Sequence, residues 1–190
     1  MGITAVAAPI SGAMLIRPDS FPDTRGVFLE IYNKKILAEA QIDFSIVQDN
    51  LIINQKGALR GIHFQNKHPQ SKLIRVLSGS IFDVIVDLRE ESSTYRKVYT
   101  VTLCSAANLE LFVPKGVAHG FLTMEDDTVV SYKADDYYHP EDSCGIRWND
   151  PFFGIQWPVV WNDSIGQYCL SYGAPIIINE RDQCWELVKR

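Results

Sequence analysis

Short stretches in which apolar and polar residues alternate run through most of this chain. In residues 80–89, Phe82, Val84, Val86 and Leu88 fall on one parity and Asp83 and Asp87 on the other. That is the period-two pattern of a half-buried strand, apolar on one face and polar on the other. Residues 26–32 alternate in the same way after a turn-like Pro22-Asp-Thr, and 98–104, 109–113 and 128–133 are further short runs. Ser78-Gly79, just ahead of the 80–89 run, reads as a hairpin turn. Turn-like stretches at 105–108 and 125–127 separate the later runs. Helical patterning is sparse: 34–41 has room for about two turns, and another short helix is expected after Asn179. Many short strands with turn signals between them predict an all-β fold: a sandwich, a barrel or a jelly roll. No linker, repeat or low-complexity stretch interrupts residues 1–190, which read as one domain.

Composition narrows the class. A chain of 190 residues, 46% of them hydrophobic, can bury a substantial core. No apolar run approaches the roughly 18 residues of a membrane span. The first residues carry no basic segment ahead of their small apolar run, so a secretory signal is not expected and a cytoplasmic location is. The net charge of −5 argues against a nucleic-acid partner, although a local arginine cluster could still bind an anionic ligand. Cys104, Cys144, Cys169 and Cys184 form no C-x-x-C pair and read as four reduced thiols.

The candidate chemistry centres on two of the four histidines. His63 sits in Gly57-Ala-Leu-Arg-Gly-Ile-His63-Phe-Gln65 and His119 in Pro114-Lys-Gly-Val-Ala-His119-Gly-Phe121, both strand-like contexts. Such a pair can hold a metal or move protons. Pro114-x-Gly116-x-x-His119 resembles the second motif of the cupins, which are double-sheet jelly rolls. In metal-binding cupins that histidine joins a His-x-His pair and a glutamate. Here the corresponding stretch is Ile62-His63-Phe64-Gln65, with Gln65 where the second histidine of the pair would stand and no glutamate in the next twenty positions. Two histidines do not complete a usual ligand set, so neither a metal nor another cofactor is expected.

Several spaced segments extend the likeness. They are Asp23-Thr-Arg-Gly-Val-Phe-Leu-Glu30, Gln48-Asp-Asn50, Leu59-Arg-Gly-Ile-His-Phe-Gln65, Lys72-Leu, Asp83-Val-Ile-Val-Asp-Leu-Arg89 and Val113-Pro-Lys-Gly-Val-Ala-His-Gly-Phe121. Tyr132-Lys133, Tyr137-Tyr138, Ile146-Arg-Trp-Asn-Asp-Pro151 and Ile155-Gln-Trp-Pro158 complete the series. In this order they resemble the dTDP-4-dehydrorhamnose 3,5-epimerase family, nucleotide-sugar epimerases of the cupin superfamily. The resemblance implies a cupin-like, double-stranded β-helix jelly roll with a few short helices. It also implies inversion of C3 and C5 of a nucleotide (dTDP) 4-keto-6-deoxyhexose through an enolate, in deoxysugar biosynthesis of the rhamnose type.

Residue roles come with the resemblance. His63 would be the base, oriented by Asp182, and Tyr132 the acid on the opposite face. Lys72 would stabilise charge at the sugar ketone, with His119 adding a donor. Arg25 and Arg60 would hold the diphosphate, Gln48 and Asn50 the base or sugar, and Tyr138 would stack on the ligand. Arg25 and Glu30 are expected from a partner subunit, because the family exchanges N-terminal strands in a homodimer. On a regular strand Arg60 and His63 would face opposite sides; a bend at Gly61 would reconcile them.

The chain also departs from the family. Ser143 and Cys144 stand where Glu and often Arg are usual, Leu51, Ile52 and Ile53 replace polar residues, and the stretch between Pro158 and Ile176 is longer than usual. That insertion could cover the site or an interface. Alternative readings are a 3-epimerase, a 3,4-ketoisomerase (disfavoured by the missing paired histidine), a non-catalytic nucleotide-sugar-binding cupin and, last, a metal-dependent cupin.

Overall fold

The computed structural model describes residues 2–188. In chain order the elements are β1 (Ile3–Ala7), β2 (Met14–Pro18), β3 (Ser20–Asp23), β4 (Gly26–Leu29), α1 (Lys34–Glu39), β5 (Gln48–Asn54), β6 (Leu59–Gln65), β7 (Lys72–Ser78) and β8 (Ser80–Asp87). There follow β9 (Val98–Cys104), β10 (Glu110–Val113), β11 (Val117–Thr123), β12 (Thr128–Ala134), β13 (Ser143–Gly145), β14 (Val159–Asn162), β15 (Gln167–Leu170) and α2 (Glu180–Gln183). Two antiparallel sheets face one another, ordered β1-β2-β10-β7-β12-β5 and β13-β6-β11-β8-β9. The hairpins β3–β4 and β14–β15 stand apart as two-stranded sheets. This is a cupin-like jelly roll.

Alternation along the strands fills three apolar layers. Between the sheets, Ile74, Val76 and Val130 meet Ile81, Ile85 and Phe121. Outside the six-stranded sheet, Ile16, Leu73 and Phe112 receive Leu37, Ile42 and Phe44 from α1 and the segment after it. Asn33 caps α1, its side-chain oxygen accepting from the N–H groups of Lys35 and Ile36. Outside the five-stranded sheet, Leu59, Val84, Val86 and Leu122 are covered by Trp148, Trp157 and Leu170. Full burial of such side chains is worth about 1.5–3 kcal/mol each.

The third layer corrects the half-buried reading of β8. Phe82, Val84 and Val86 face outward, onto Trp157 and its neighbours, while Ile81 and Ile85 face the other sheet. Asp83 and Asp87 share the inward parity and are fully buried. Asp87 is satisfied there by Arg89, Ser92 and Thr94. Two further expectations change. Ser78 and Gly79 close no hairpin, since β7 and β8 lie in different sheets and the chain crosses between layers at this point. The strand expected over 26–32 ends at Leu29.

The segment between Pro158 and Ile176 has a definite place. Val159, Tyr168 and Leu170 of the β14–β15 hairpin pack on the outer face of the five-stranded sheet. The chain then runs beside β6, with Ile177 N–H donating to Gly57 and Leu59 N–H donating to Ile177, both at 2.8 Å. This pairing delivers α2 to the middle of β6.

Candidate active site

One end of the space between the sheets opens into a cavity of about 330 Å³. Gln48 and Asn50 reach it from β5, Arg60 and His63 from β6, Lys72 from β7, His119 from β11, Tyr132 from β12, Tyr138 from the loop after β12, and Asp182 from α2. Nearly all the residues singled out in the sequence therefore meet at one place.

His63 Nε2 lies 2.7 Å from Asp182 Oδ1. The other oxygen of Asp182 accepts the Gly61 N–H at 3.1 Å, and the Asp182 N–H donates to the Asn179 side chain at 2.7 Å. Asn179 caps α2, so the cap that starts the helix also aims the carboxylate. Burial works against the charge on Asp182. The hydrogen bonds from His63 and Gly61 and the nearby Arg181 outweigh it and hold the carboxyl below its usual range.

Arg60 and His63 do share the cavity. His119 pairs with His63 but Phe121 pairs with Arg60, so β6 carries one residue more than β11 over this span. The extra residue is a bulge, which re-aims one side chain relative to the next. Gly61 makes it possible: its φ is 118°, and a Cβ there would stand 2.6 Å from the Cα of Gly120. Arg60 Nε donates to Asn54 Oδ1 at 2.8 Å.

Tyr132 is flanked in its sheet by Asn50 and Ile74. Burial raises its pKa, with Arg60 pulling it back down and Tyr138 adding to the rise. Burial depresses the Lys72 ammonium to about 8, opposed by the charge of Asp83. His119 Nε2 lies 2.9 Å from Asp83 Oδ2, so His119, like His63, is held by a carboxylate. The side chains of Gln48 and Asn50 bond at 2.9 Å, and Gln48 accepts the Tyr138 N–H at 3.0 Å.

Among the residues that escaped the sequence reading as site residues are Arg181 and Ser143, which line the cavity, and Asp83, which lies behind it on His119. Arg181 lines the cavity, with Nε 3.4 Å from Asp182 Oδ1 and Nη2 3.4 Å from His63 Nε2. Its place beside Asp182 was the available signal. Asp83 was legible only as the wrong face of a strand. Ser143, read in the sequence as a departure from the family pattern, lines the cavity wall.

Arg25 and Glu30 lie away from this cavity. Arg25 sits in the β3–β4 turn with its side chain 88% exposed, forked onto Asp23. Phe21, Val27 and Phe28 of the same hairpin are exposed as well.

The arrangement suits proton transfer. An imidazole held by a buried carboxylate, a phenol and an ammonium surround one volume. It does not suit a resident metal: each histidine is committed to its own aspartate, and among the described residues no three His, Cys, Asp or Glu side chains are grouped to hold an ion. No helix among the described residues is long and apolar enough to cross a membrane. The four cysteines are free.

A jelly roll with this site defines an isomerase of the epimerase type. The profile of the dTDP-4-dehydrorhamnose 3,5-epimerases matches residues 7–190, and the chain belongs to that family. It is 41% identical over 181 residues to the dTDP-4-dehydrorhamnose 3,5-epimerase of Methanothermobacter thermautotrophicus, covering 95% of this chain and 92% of that protein. The crystal structure of the Bacillus anthracis enzyme with TDP and PPi bound is 38% identical, with a TM-score of 0.87 over 98% of this chain and 100% of that one. The Legionella pneumophila dTDP-6-deoxy-D-glucose-3,5-epimerase, in complex with dTDP-4-keto-L-rhamnose, is 34% identical, with a TM-score of 0.86 over 97% and 92%.

Proposed function

We propose that this protein inverts C3 and C5 of a dTDP-linked 4-keto-6-deoxyhexose in deoxysugar biosynthesis of the rhamnose type. The observation that carries the reading is the His63–Asp182 pair sharing one cavity with Tyr132 and Lys72. Inversion next to a ketone removes a C–H proton to form an enolate and returns a proton to the other face. His63 is the base. With its Nε2–H given to Asp182, Nδ1 keeps the lone pair that takes the proton, and the carboxylate stabilises the imidazolium that results. Tyr132 is the acid: a phenol whose pKa is raised by burial stays protonated until the enolate carbon needs it. Lys72 and His119 stabilise the enolate oxygen. A positioned acid or base contributes about 10² to 10⁴-fold, and preorganised charge at the oxyanion is of comparable weight or larger.

Arg60 and Arg181 flank the cavity with guanidinium groups suited to a diphosphate. Gln48 and Asn50 offer amides to the base or sugar, and Tyr138 a ring to stack on. We further propose a homodimer in which the β3–β4 hairpin of one subunit enters the other's cavity with Arg25 and Glu30. The exposed apolar residues of that hairpin support this. Each chain then works as a single domain with an exchanged arm.

The deciding measurement follows solvent deuterium into the sugar during turnover. Incorporation at both C3 and C5 is expected. Incorporation at C3 alone would make the protein a 3-epimerase, and none at either carbon would overturn the epimerase reading.

A further inference from the structure

Beyond the groups that surround the ligand space, one aromatic side chain is fastened against the His63–Asp182 pair. The ring of Trp185 stands edge-on to His63, with centroids 6.3 Å apart and planes at 69°. Trp185 is not among the residues that line the cavity.

Its seat is built from both directions. Gly145 is the ladder partner of His63 in β13, and a Cβ there would fall inside the indole, against Cε2 and Nε1. The bare backbone of Gly145 is what lets the ring lie beside His63. The carbonyl of Trp185 accepts from Arg147 Nε at 2.8 Å, and three residues on, the Val188 N–H donates to buried Asp150 at 2.7 Å. Arg181, already close to both members of the pair, has its guanidinium 6.0 Å from the indole centroid. The Trp185 Nε1–H is buried and finds no hydrogen-bond partner among the described residues. The ring is therefore placed for its shape, and a benzene ring can take over that function.

We infer that Trp185 is a positioning residue for the base: its indole, seated on Gly145, locks the His63 ring in the orientation that keeps Nε2 on Asp182. The inference rests on His63 being the base. A catalytic base must be held close to its productive geometry, and a displacement of about 1 Å costs on the order of 10²-fold.

The test is a kinetic cycle on the full chain with a dTDP-linked 4-keto-6-deoxyhexose, alongside calorimetric binding of dTDP and thermal melting. Trp185→Ala should lower kcat on the order of 10 to 100-fold while leaving KM and dTDP binding unchanged. Trp185→Phe should keep most of kcat. In the double variant with Asp182→Asn, Trp185→Ala should add little further loss, because the indole acts by keeping Nε2 on a carboxylate that this variant no longer has. Should Trp185→Ala fail to fold, Trp185→Leu takes its place in the cycle. Wild-type kcat in Trp185→Ala, or losses that multiply in the double variant, would overturn the inference alone. A wild-type protein that exchanges no solvent deuterium into the sugar would overturn the assignment of His63 and the inference together.

Discussion

Asp182 Oδ1 meets His63 Nε2 at 2.7 Å although the two residues are 119 positions apart in the chain. The carboxylate is buried, its second oxygen accepts the Gly61 N–H, and the backbone N–H of Asp182 donates to the Asn179 side chain. Replacing it by asparagine keeps the size but puts an amide, without charge, beside the imidazole. Asp182→Asn should lower kcat by about 10² to 10⁴-fold with little change in dTDP affinity. Steady-state kinetics beside calorimetric titration of dTDP separates the two.

Tyr132→Phe should uncouple proton exchange from inversion. His63 remains able to remove the C3 and C5 protons, exchange them with solvent and return them to the same face. Deuterium should therefore still enter the sugar while epimerised product falls by about 10² to 10⁴-fold. Mass spectrometry and NMR of one reaction read both. Equal loss of exchange and inversion would count against Tyr132 as the acid.

Lys72 links activity and stability to pH with opposite signs. Its ammonium is depressed to about 8 from an ordinary 10.5. The oxyanion needs it charged, so kcat should fall above about pH 8, and Lys72→Arg should move that limb upward, since a guanidinium does not titrate there. Between about 8 and 10.5 the unfolded chain holds a proton that the folded one has lost, so the contribution of this group to stability rises with pH across that window. Rate profiles and thermal melts over the same buffers check the two trends.

Gly61→Ala should be destabilising and inactivating together. The residue has φ 118° and its added Cβ would press on the backbone of Gly120. Strain of this kind costs about 1–3 kcal/mol or more, and each kcal/mol lowers Tm by about 2–4 °C at this chain length. Losing the bulge would also turn Arg60 away from His63, so dTDP binding should weaken along with turnover.

The exchanged hairpin predicts complementation between two impaired chains. Arg25→Ala should weaken dTDP binding, and His63→Ala should abolish turnover. Unfolding the two together and refolding the mixture forms hybrid dimers, some of whose sites take Arg25 and His63 from the intact copies. Part of the activity should return. No recovery in hybrids confirmed by mass spectrometry would place Arg25 outside the partner's site.

Much of this molecule is local. Alternation along β8, β9, β10 and β12 predicts strands because a side-chain period of two is a property of the backbone. The short helix expected after Asn179 forms as α2, and Asn179 caps it, an effect that acts over three residues. The motifs around His63, His119, Lys72 and Tyr132 name the chemistry, since residue type carries pKa range and hydrogen-bonding capacity wherever it sits. Other features depend on what lies opposite. Asp83 and Asp87 read as a polar outer face because nothing local announces that Trp148, Trp157 and Leu170 cover the other side. Ser78-Gly79 reads as a hairpin because a turn residue does not say which sheet comes next. Arg60 and His63 read as facing apart until the bulge between β6 and β11 changes the count. Trp185 carries no motif, and its contact with His63 exists only because β13 brings Gly145 alongside. The sequence by itself determined the all-β character, the family and most of the side chains that meet in the cavity, because these follow from residue identity and short-range geometry. The tertiary structure decided which face is inside, which carboxylate holds which histidine and which ring packs on His63, because those relations arise only when strands distant in sequence pack face to face.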